Sequence, residues 1–444
     1  MTKETMVSSL RRIFELAVSL PRVALEALRL WWIGQRQAED YYRCAAQAVE
    51  LNNPYPAECV WIVSEVMWDE VWQRPQELAR RLSRESVVVY ISPVQLHRYL
   101  FSLRNRWRPF RAEGSCLVLS PLIFPLHYRF APIYALNCVM MAWLLRWWLP
   151  KSLRVRVVCN SPFAWPFLTR LFFPSGKRSP NLARLLYDVI DDFPSFEWAP
   201  SYARALEEQF LTKADVVTTG TYELWNMHRV QRPDAEFIQC GVDFELFNRP
   251  AGPMPEDLAG LPQPMIGYWG SISDRLDFRL LEKLARQLPQ ASLVLIGPVR
   301  TSLPLPQAPN IYYLGLKPHE ELPRYAQHFS VGLIPFLVNE ATEKLNPVKT
   351  LEYLAAGIPV VSTELPDIIR FFSHAVIVAR DADDFIAKVR EAIDSPDLDR
   401  IRAGIAMAQN ASWDYLAKRF ATRLFGSDSA TMAVSAEGVQ GGEQ

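Results

Sequence analysis

The sequence predicts an α/β fold made of two Rossmann-like, doubly wound domains that follow a helical extension. The first observation is a repeated alternation of short β-branched apolar runs with helical segments, the pattern of parallel strands joined by crossover helices. The second is a Pro- and Gly-rich stretch, residues 248–263, which separates an earlier series of these units from a later one. The third is the length of 444 residues, which is sufficient for two domains with separate hydrophobic cores.

Composition argues against several classes of protein. The 48 acidic and 48 basic residues balance, so no net charge points to nucleic acid as a partner. The six cysteines form no CxxC pair and are expected to be reduced, as in a cytoplasmic protein. The nearest candidate for a membrane span, residues 131–145, is too short to cross a bilayer. No GxGxxG motif is present, which argues against a nicotinamide or flavin cofactor. The six histidines follow no pattern and are interpreted as structural.

Residues 1–55 form the helical extension. Apolar residues recur there at helical spacing, arginines are interleaved with them, and Pro21 is expected to divide the segment into two helices. One interpretation is a basic amphipathic anchor that lies on an anionic membrane surface. The other is a helical hairpin that packs on the first domain. The sequence leaves both open.

The first domain is predicted over residues 56–247. A helix at Arg74–Leu82 follows its first strand, and a second helix at Tyr134–Trp148 is apolar nearly all round. That second helix is either a core helix or a contact with one face of a membrane. The predicted strands are Cys59–Ser64, Val87–Ser92, Val155–Cys159, a strand that ends at Val189, and Ala214–Gly220.

Two segments of this domain combine aromatic residues with positive charge. The loop after the first strand carries Trp68 and Arg74. Aromatic faces stack on sugars and arginine can bind a carboxylate or phosphate with two hydrogen bonds, so this loop could contact a ligand, with packing as the alternative. Residues 98–111 carry five arginines among aromatic residues, a pattern that suits single-stranded nucleic acid or an anionic membrane. The neutral overall charge favours the membrane, and a solvated loop is the alternative.

The segment RLLYDVIDDFPSF, residues 184–196, brings three carboxylates to the end of a predicted strand. They are Asp188, Asp191 and Asp192, and ligands of parallel sheets bind at such strand ends. One interpretation is a DxD-like metal site. Another is that Asp191 or Asp192 orients or deprotonates a substrate hydroxyl, since neighbouring carboxylates raise one another's pKa. A third is that they cap the helix that follows.

The second domain is predicted over residues 264–410. The loop Gly270–Asp277 follows its first strand, and there Gly270 would let the backbone approach a diphosphate while Arg275 neutralises the charge. The predicted strands are Pro264–Trp269, Ser292–Ile296, Ile311–Leu314, Val331–Pro335 and Ile358–Ser362, and the predicted helices are Phe278–Leu288, Asp381–Ile393 and, after the domain, Ala411–Leu424.

Residues 339–363, NEATEKLNPVKTLEYLAAGIPVVST, contain the most informative helix. It is predicted from Pro347 to Ala356, between a loop and a buried strand. Lys349 and Glu352 lie three residues apart, so both side chains share one face near its N-terminal end. A cation and a carboxylate at the carboxyl edge of a parallel sheet could bind a phosphorylated sugar ligand. The alternative is a solvated pair on an ordinary helix.

The run PVKTLEYLAAGIPVVST resembles the donor-site helix of GT-B glycosyltransferases, in particular those of family 4. The family normally has two glutamates separated by seven residues there; Glu352 matches the second, and Lys344 stands at the place of the first. A sub-branch that makes teichuronic acid or exopolysaccharide has NEAT…P-x-K-x-x-E-Y at this point, which this chain fits better. The segment CGVDFELF, residues 240–247, also resembles the NGVD-x-x-x-F segment of the family.

This resemblance implies a GT-B fold, in which two Rossmann-like domains face a cleft. It implies a hexosyltransferase-type enzyme that transfers a sugar from a nucleotide diphosphate sugar to a glycan or lipid-linked acceptor, in surface or exopolysaccharide biosynthesis. The donor is a substrate, and no cofactor or catalytic metal is expected. Retention of the anomeric configuration, a cytoplasmic location and peripheral attachment to the plasma membrane are also expected. Residues 411–426 would form a helix that crosses back to the first domain, and residues 427–444 a disordered tail.

The resemblance also assigns roles to residues. Glu352 would bind the donor ribose, and Arg275 and Lys349 would bind the diphosphate beside Gly270. The family often has an arginine where this chain has Ser271, so Lys349 is a candidate to replace the missing cation. The carboxylates Asp191 and Asp192 would serve the acceptor, which Trp68 and Arg74 would also contact.

Two other functions are compatible with the same fold. One is a sugar-nucleotide 2-epimerase, which needs no acceptor. The other is a non-catalytic, membrane-associated scaffold, favoured by the missing first glutamate and the missing cation.

Overall fold

The computed structural model describes residues 21–22, 24–34, 36, 40, 42, 58–69, 72–95, 110–113, 116–149, 153–196, 198–250, 252–339, 342 and 349–426. Most of the extension 1–55, nearly all of the basic aromatic segment 98–111, Pro347 and the tail 427–444 lie outside these residues. The chain divides into two compact units. The first runs to Thr218 and resumes at Ala417, and the second is Thr219–Leu416.

The first unit is built on a mostly parallel sheet. Seven of the eight described strands of this sheet run in the order β7-β6-β5-β1-β2-β4-β3, and the eighth, Glu236–Phe237, comes next to β7. Among the registers described, only β3 and β4 pair antiparallel. In chain order its main elements are β1 (Glu58–Val63), α1 (Arg74–Leu82), β2 (Val88–Ile91), β3 (Phe110–Glu113), β4 (Cys116–Leu119), α2 (Ala131–Trp147), β5 (Arg154–Cys159), α3 (Trp165–Phe172), β6 (Leu182–Val189), α4 (Ala203–Lys213) and β7 (Val216–Thr219). The central strands are apolar on both faces, and β1 is buried throughout, as expected for a covered parallel sheet.

The second unit has a sheet that is parallel throughout. The order of its strands is β10-β9-β8-β11-β12-β13. Its main elements are α5 (Tyr222–His228), β8 (Met265–Trp269), α6 (Phe278–Gln287), β9 (Ser292–Ile296), β10 (Ile311–Gly315), β11 (Val331–Ile334), α7 (Lys349–Ala355), β12 (Val360–Thr363), α8 (Pro366–Phe372), β13 (Val376–Ala379), α9 (Ala382–Asp394), α10 (Leu398–Asn410) and α11 (Trp413–Phe425). The α/β fold class predicted from the sequence is confirmed.

The chain enters the second unit at Thr219, ahead of the Pro- and Gly-rich stretch 248–263. The reason is the packing of the intervening residues. Phe247 is buried in the core of the second unit, where its ring stacks on that of Trp269 at 6.0 Å. Asn248 donates a hydrogen bond from Nδ2 to the carbonyl of Ala355 at 2.8 Å. Phe247 and Asn248 therefore pack with the second sheet.

Helix α11 begins in the second unit and ends in the first. Within the first unit Phe420 is fully buried, with the guanidinium of Arg74 4.9 Å from the centre of its ring. Arg156 donates from Nη1 to the carbonyl of Leu424 at 2.6 Å and lies over the ring of Phe425. The end of the described chain is therefore part of the first core.

The extension helix, residues 24–34, packs on α2. Ala27 and Leu30 are buried against Leu144. Among the described residues, none of the helices is both long enough and apolar enough to cross a membrane.

Candidate functional site

Two glycine turns meet at the carboxyl ends of β8 and β9. Gly270 has φ +136° and Gly297 has φ +144°, a region that favours glycine. Gly270 donates from its backbone N–H to the carbonyl of Ile296 at 2.9 Å. A Cβ at position 297 would lie only 1.9 Å from the carbonyl oxygen of Gly270. The two turns are therefore in backbone contact, and Gly297 must remain glycine for that contact to exist.

Lys349, the first residue of α7, lies against the Gly270 turn. A Cβ at position 270 would be 2.9 Å from Lys349 Cε and 3.3 Å from its Nζ. The ammonium also sits 5.5 Å from the ring centre of Tyr268 and 5.0 Å from that of Phe336. Among the described residues it has neither a hydrogen-bond partner nor a carboxylate within ion-pair distance.

The pKa of Lys349 reflects this position. Burial is the main cause that lowers its pKa to about 8; Glu352 opposes the shift and the positive charge of Arg275 adds to it. Protonated Lys349 is therefore a cation beside a glycine backbone, with no carboxylate partner among the described residues. An anionic ligand could pair with it.

Glu352 lies on the same helix and is held by two donors. Its Oε2 accepts a hydrogen bond from Trp269 Nε1 at 2.6 Å, and its Oε1 lies 3.0 Å from His319 Nε2. Burial alone would raise its pKa, but the hydrogen bond and charge of His319, the hydrogen bond from Trp269 and the charge of Lys349 lower it overall. The carboxylate therefore remains ionised at neutral pH.

His319 is a site residue that the sequence analysis missed. It lies four residues after β10, and its ring makes an edge contact with Phe247 at 5.4 Å. Together with Trp269 it orients the Glu352 carboxylate. No local sequence pattern marks it, because its partner lies 33 residues away along the chain.

The other predicted residues of the Gly270 loop lie nearer the surface. Ser271 is half-buried, and its carbonyl accepts a hydrogen bond from Tyr268 Oη at 3.0 Å. Arg275 is exposed, but its charge affects the pKa of Lys349, so the two cations lie near one another. The structure thus brings Gly270, Lys349 and Glu352 together, with Arg275 at the edge of the group.

In the first unit Arg74 is engaged inside the protein. It is buried, and it donates from Nε and Nη2 to the two carboxylate oxygens of Asp188, each at 2.9 Å. Asp188 is fully buried and also accepts from Thr218 Oγ1 at 2.7 Å and Asn160 Nδ2 at 3.1 Å. This network ties α1 to the ends of three strands. The structure favours packing over ligand contact for Arg74.

The remaining first-unit candidates lie close to strand ends. Asp191 is exposed, and Asp192 is half-buried and accepts a hydrogen bond from Ser195 Oγ at 2.6 Å. Trp68 is half-buried and makes edge contacts at 5.1 Å with both Trp72 and Tyr90. Within the part of the chain that the structure describes, no group of three or more His, Cys, Asp or Glu residues could hold a metal ion.

Several solved structures share this architecture. A sucrose-phosphate synthase from Thermosynechococcus elongatus has a TM-score of 0.62 and 14% identity, covering 84% of this chain and all of that one. The E. coli trehalose-6-phosphate structure with bound UDP-2-fluoro glucose has the same TM-score and identity over 82% of this chain and 98% of that one. An α,α-trehalose-phosphate synthase (UDP-forming) from Burkholderia xenovorans, in complex with glucose-6-phosphate, has a TM-score of 0.60 and 14% identity over 83% of this chain and all of that one.

The chain has the GT-B fold. Within it, residues 278–423 match the family model described as glycosyl transferase-like. The matched segment contains His319, Lys349 and Glu352, whereas Gly270 and Arg275 precede it.

A Bacillus subtilis (strain 168) protein named as a glycosyltransferase of teichuronic acid biosynthesis is 27% identical over 180 residues. The match covers 38% of this chain and 45% of that relative, so it spans less than half of the relative's length. The predicted resemblance to GT-B glycosyltransferases, and to the teichuronic-acid branch among them, is confirmed at this level.

Proposed function

We propose that the protein is a GT-B glycosyltransferase of the hexosyltransferase type. It transfers a sugar from a nucleoside diphosphate sugar to a glycan or lipid-linked acceptor in surface or exopolysaccharide synthesis. The observation that carries the proposal is the ammonium of Lys349, held against the Gly270 turn without a carboxylate partner among the described residues. A diphosphate lying along that turn would form ion pairs with Lys349 and, at the edge of the group, with Arg275.

In this proposal Glu352 binds the ribose of the donor. An ionised carboxylate offers about four lone-pair sites. Trp269 and His319 occupy two of them, which leaves capacity for the two ribose hydroxyls. Because both protein donors act on the same carboxylate, they fix its orientation before the donor arrives. The backbone at Gly270 and Ser271 would lie close to the phosphates, because Gly270 has no side chain to keep them away.

The acceptor side rests on the first unit. Asp191 or Asp192 would orient or deprotonate the acceptor hydroxyl. The ring of Trp68 would stack on a sugar of the acceptor. Transfer with retention and without a catalytic metal is proposed from the resemblance to family 4 alone. Arg74 has no part in this proposal, because its guanidinium is committed to Asp188.

The comparisons support the substrate class. The E. coli neighbour contains a uridine diphosphate sugar derivative, and the Burkholderia xenovorans neighbour contains a phosphorylated sugar. The name of the Bacillus relative places that protein in teichuronic acid biosynthesis. We propose that this chain acts in the cytoplasm on the inner face of the plasma membrane, where a lipid-linked acceptor would be presented.

A thermal-shift screen of the full chain over UDP, GDP, ADP and their sugars tests the proposal. A ligand that binds only the folded state raises the Tm, by an amount equivalent to about 2.7 kcal/mol at a hundredfold excess over Kd. We expect one nucleoside diphosphate and its sugar to raise the Tm. If none does, the donor-site assignment is wrong and the scaffold alternative is favoured.

Product analysis with the selected sugar nucleotide separates the enzymatic alternatives. A glycosyltransferase releases the nucleoside diphosphate and extends an added acceptor. A 2-epimerase converts the sugar nucleotide to its isomer with no acceptor present. Isomerisation in the absence of acceptor would contradict the proposed transfer reaction.

A further inference from the structure

Two helices of the first unit expose large apolar side chains to solvent. One is the extension helix, residues 24–34, and the other is α2, Ala131–Trp147. The exposed fractions of these side chains range from 38% to 64%, and the residues are Leu25, Leu28, Trp32, Leu136, Val139, Trp143 and Trp147. Single exposed apolar residues are ordinary, but a contiguous group of this size marks an interaction surface.

On each helix these residues share one face. Leu25, Leu28 and Trp32 follow one another at spacings of three and four, as do Leu136, Val139, Trp143 and Trp147. The opposite faces are used for packing, where Ala27 and Leu30 meet Leu144. The exposure of these residues is therefore not the result of incomplete core packing. They form a second apolar face on helices whose first apolar face is already buried.

The two exposed faces are continuous. Trp31, which is half-buried, stacks on Trp143 with ring centres 6.0 Å apart and an interplanar angle of 11°. The same ring meets the edge of Trp147 at 5.7 Å. Trp31 thus joins the extension helix to α2 between their exposed sides. We call the whole area, the seven residues above with Trp31, the tryptophan surface.

Among the described residues of 21–42 and 129–147, which contain the tryptophan surface, most exposed charges are positive. Five exposed arginines lie on the described parts of residues 21–42 and 129–147, and they are Arg22, Arg29, Arg36, Arg129 and Arg146. The guanidinium of Arg36 lies 4.8 Å from the ring centre of Trp32. In the same described residues Asp40 is the one exposed carboxylate, because Glu26 is buried beside Arg29.

We propose that the tryptophan surface docks the protein on a bilayer of anionic phospholipid. Tryptophan rings are stable at the level of the lipid headgroups, where one edge meets hydrocarbon and the N–H meets water. Leucine and valine enter the outer acyl region, and the arginines meet the lipid phosphates. A second copy of this chain fits the surface less well, since it would bring the same five arginines against one another. The inference deepens the proposed function by naming the surface that faces the membrane.

Flotation of the full chain with lipid vesicles tests this surface. We expect the protein to float with vesicles of phosphatidylcholine that contain about one third phosphatidylglycerol. With vesicles of phosphatidylcholine alone, we expect it to stay at the bottom of the density gradient. High salt should weaken the binding, because it screens the arginines. Replacing Arg22 and Arg29 with glutamine should lower the affinity for anionic vesicles by about fivefold per arginine.

The decisive variant combines Leu28→Glu with Val139→Glu. Both side chains are exposed, so the changes create no cavity, yet they place two carboxylates in the docking face. Affinity for anionic vesicles should fall by about tenfold or more. The matched control, Val230→Glu with Leu398→Glu, makes the same chemical change at two exposed apolar residues of the second unit and should float like the wild type.

Three results would overturn the proposal. One is failure of the wild type to float with anionic vesicles, and another is equal loss of flotation in both double variants. The third is a wild-type dimer in light scattering that Leu28→Glu with Val139→Glu converts to a monomer, which would make the surface a contact between copies. Nucleotide-induced thermal shifts measured on the same samples report on the donor site separately, so failure of one proposal is not mistaken for failure of the other.

Discussion

Each unit of the molecule places a cation and a carboxylate near the ends of its parallel strands, but the two pairs are organised differently. In the first unit Arg74 and Asp188 bind one another through two hydrogen bonds of 2.9 Å, and Asp188 is completely buried. In the second unit Lys349 and Glu352 share a helix face, yet each is held mainly by other groups. Aromatic rings and a glycine turn surround Lys349, while Trp269 and His319 hold Glu352.

We interpret the first as an architectural pair and, in line with the proposed function, the second as a binding pair. A buried ion pair whose members satisfy one another is expensive to break and offers little to a ligand. A cation and a carboxylate that are kept apart retain charge and hydrogen-bonding capacity for a third molecule. Both sheets thus have a cation and a carboxylate at their strand ends, but only Arg74 and Asp188 are joined by direct hydrogen bonds.

The largest expected effect comes from breaking the architectural pair. Arg74→Met leaves the Asp188 carboxylate buried without its main counter-charge, which typically costs about 3–5 kcal/mol of folding stability. Urea denaturation monitored by circular dichroism measures the loss. The nucleotide-induced thermal shift should survive in any variant protein that remains folded, because the proposed donor residues lie in the other unit.

Adding Asp188→Asn to Arg74→Met is the control for this prediction. The neutral amide removes the unpaired charge and can still accept from Thr218, so most of the lost stability should return. A double variant less stable than Arg74→Met would mean that the ion pair is not the source of the effect.

An intermediate effect is expected at the carboxylate of the binding pair. Glu352→Gln keeps the shape of the side chain but removes the charge that receives hydrogen bonds. Since hydrogen bonds to charged groups contribute about 1.5–3 kcal/mol, kcat/KM for the donor should fall by about 10–100-fold with little change in Tm. Steady-state kinetics with varied donor concentration measures it.

Glu282→Gln provides the comparison for that variant. Glu282 pairs with Arg286 on the surface of α6 at 2.5 Å, and exposed pairs of this kind contribute little. Donor kinetics should therefore match the wild type. Equal donor kcat/KM in Glu352→Gln and Glu282→Gln would show that Glu352 does not bind the donor.

The smallest expected effect is on the pH dependence of diphosphate affinity, through Lys349, the cation of the binding pair. The pKa of Lys349 is lowered to about 8, so the fraction that is protonated falls as the pH rises through that value. A diphosphate requires the protonated form, so its affinity should decline by at most about tenfold between pH 7 and 9. Calorimetry of the nucleoside diphosphate over that pH range measures the decline.

Lys349→Arg is the matched variant, because arginine stays charged over the whole range. Ionisation of the phosphates is the same for both proteins, so the ratio of their affinities isolates Lys349. A ratio that does not change with pH would show that Lys349 does not hold the diphosphate.

The fold was largely predictable because its main signals are local. Apolar β-branched runs predicted Ser292–Ile296 at its exact bounds and most other central strands within one or two residues. The antiparallel edge strand Phe110–Glu113 was missed, since its alternation of apolar and charged residues covers only four residues and directly follows an arginine-rich segment. Helix α10 was also missed, because its alternation of small apolar and charged residues does not form a clear apolar stripe.

The site was predictable only where residues lie close in sequence. Lys349 and Glu352 share one helical turn, so their common face follows from spacing alone. The contact of His319 with Glu352 depends on how β10 and α7 are placed, and the sequence contains no signal for it. For Arg74 the sequence suggested a ligand contact, but its partner is 114 residues away along the chain. Pairings over such distances are decided by the tertiary fold.

The return of α11 to the first unit has a consequence for synthesis of the protein on the ribosome. Phe420 and Leu424 complete the core around Arg74 and Arg156, yet about 200 residues of the second unit are translated before them. At roughly 5–20 residues per second, the nascent first unit waits about 10–40 s for its last helix. The second unit ends at Leu416, directly before these residues, so the last residues of both units emerge almost together although the first unit begins to emerge much earlier.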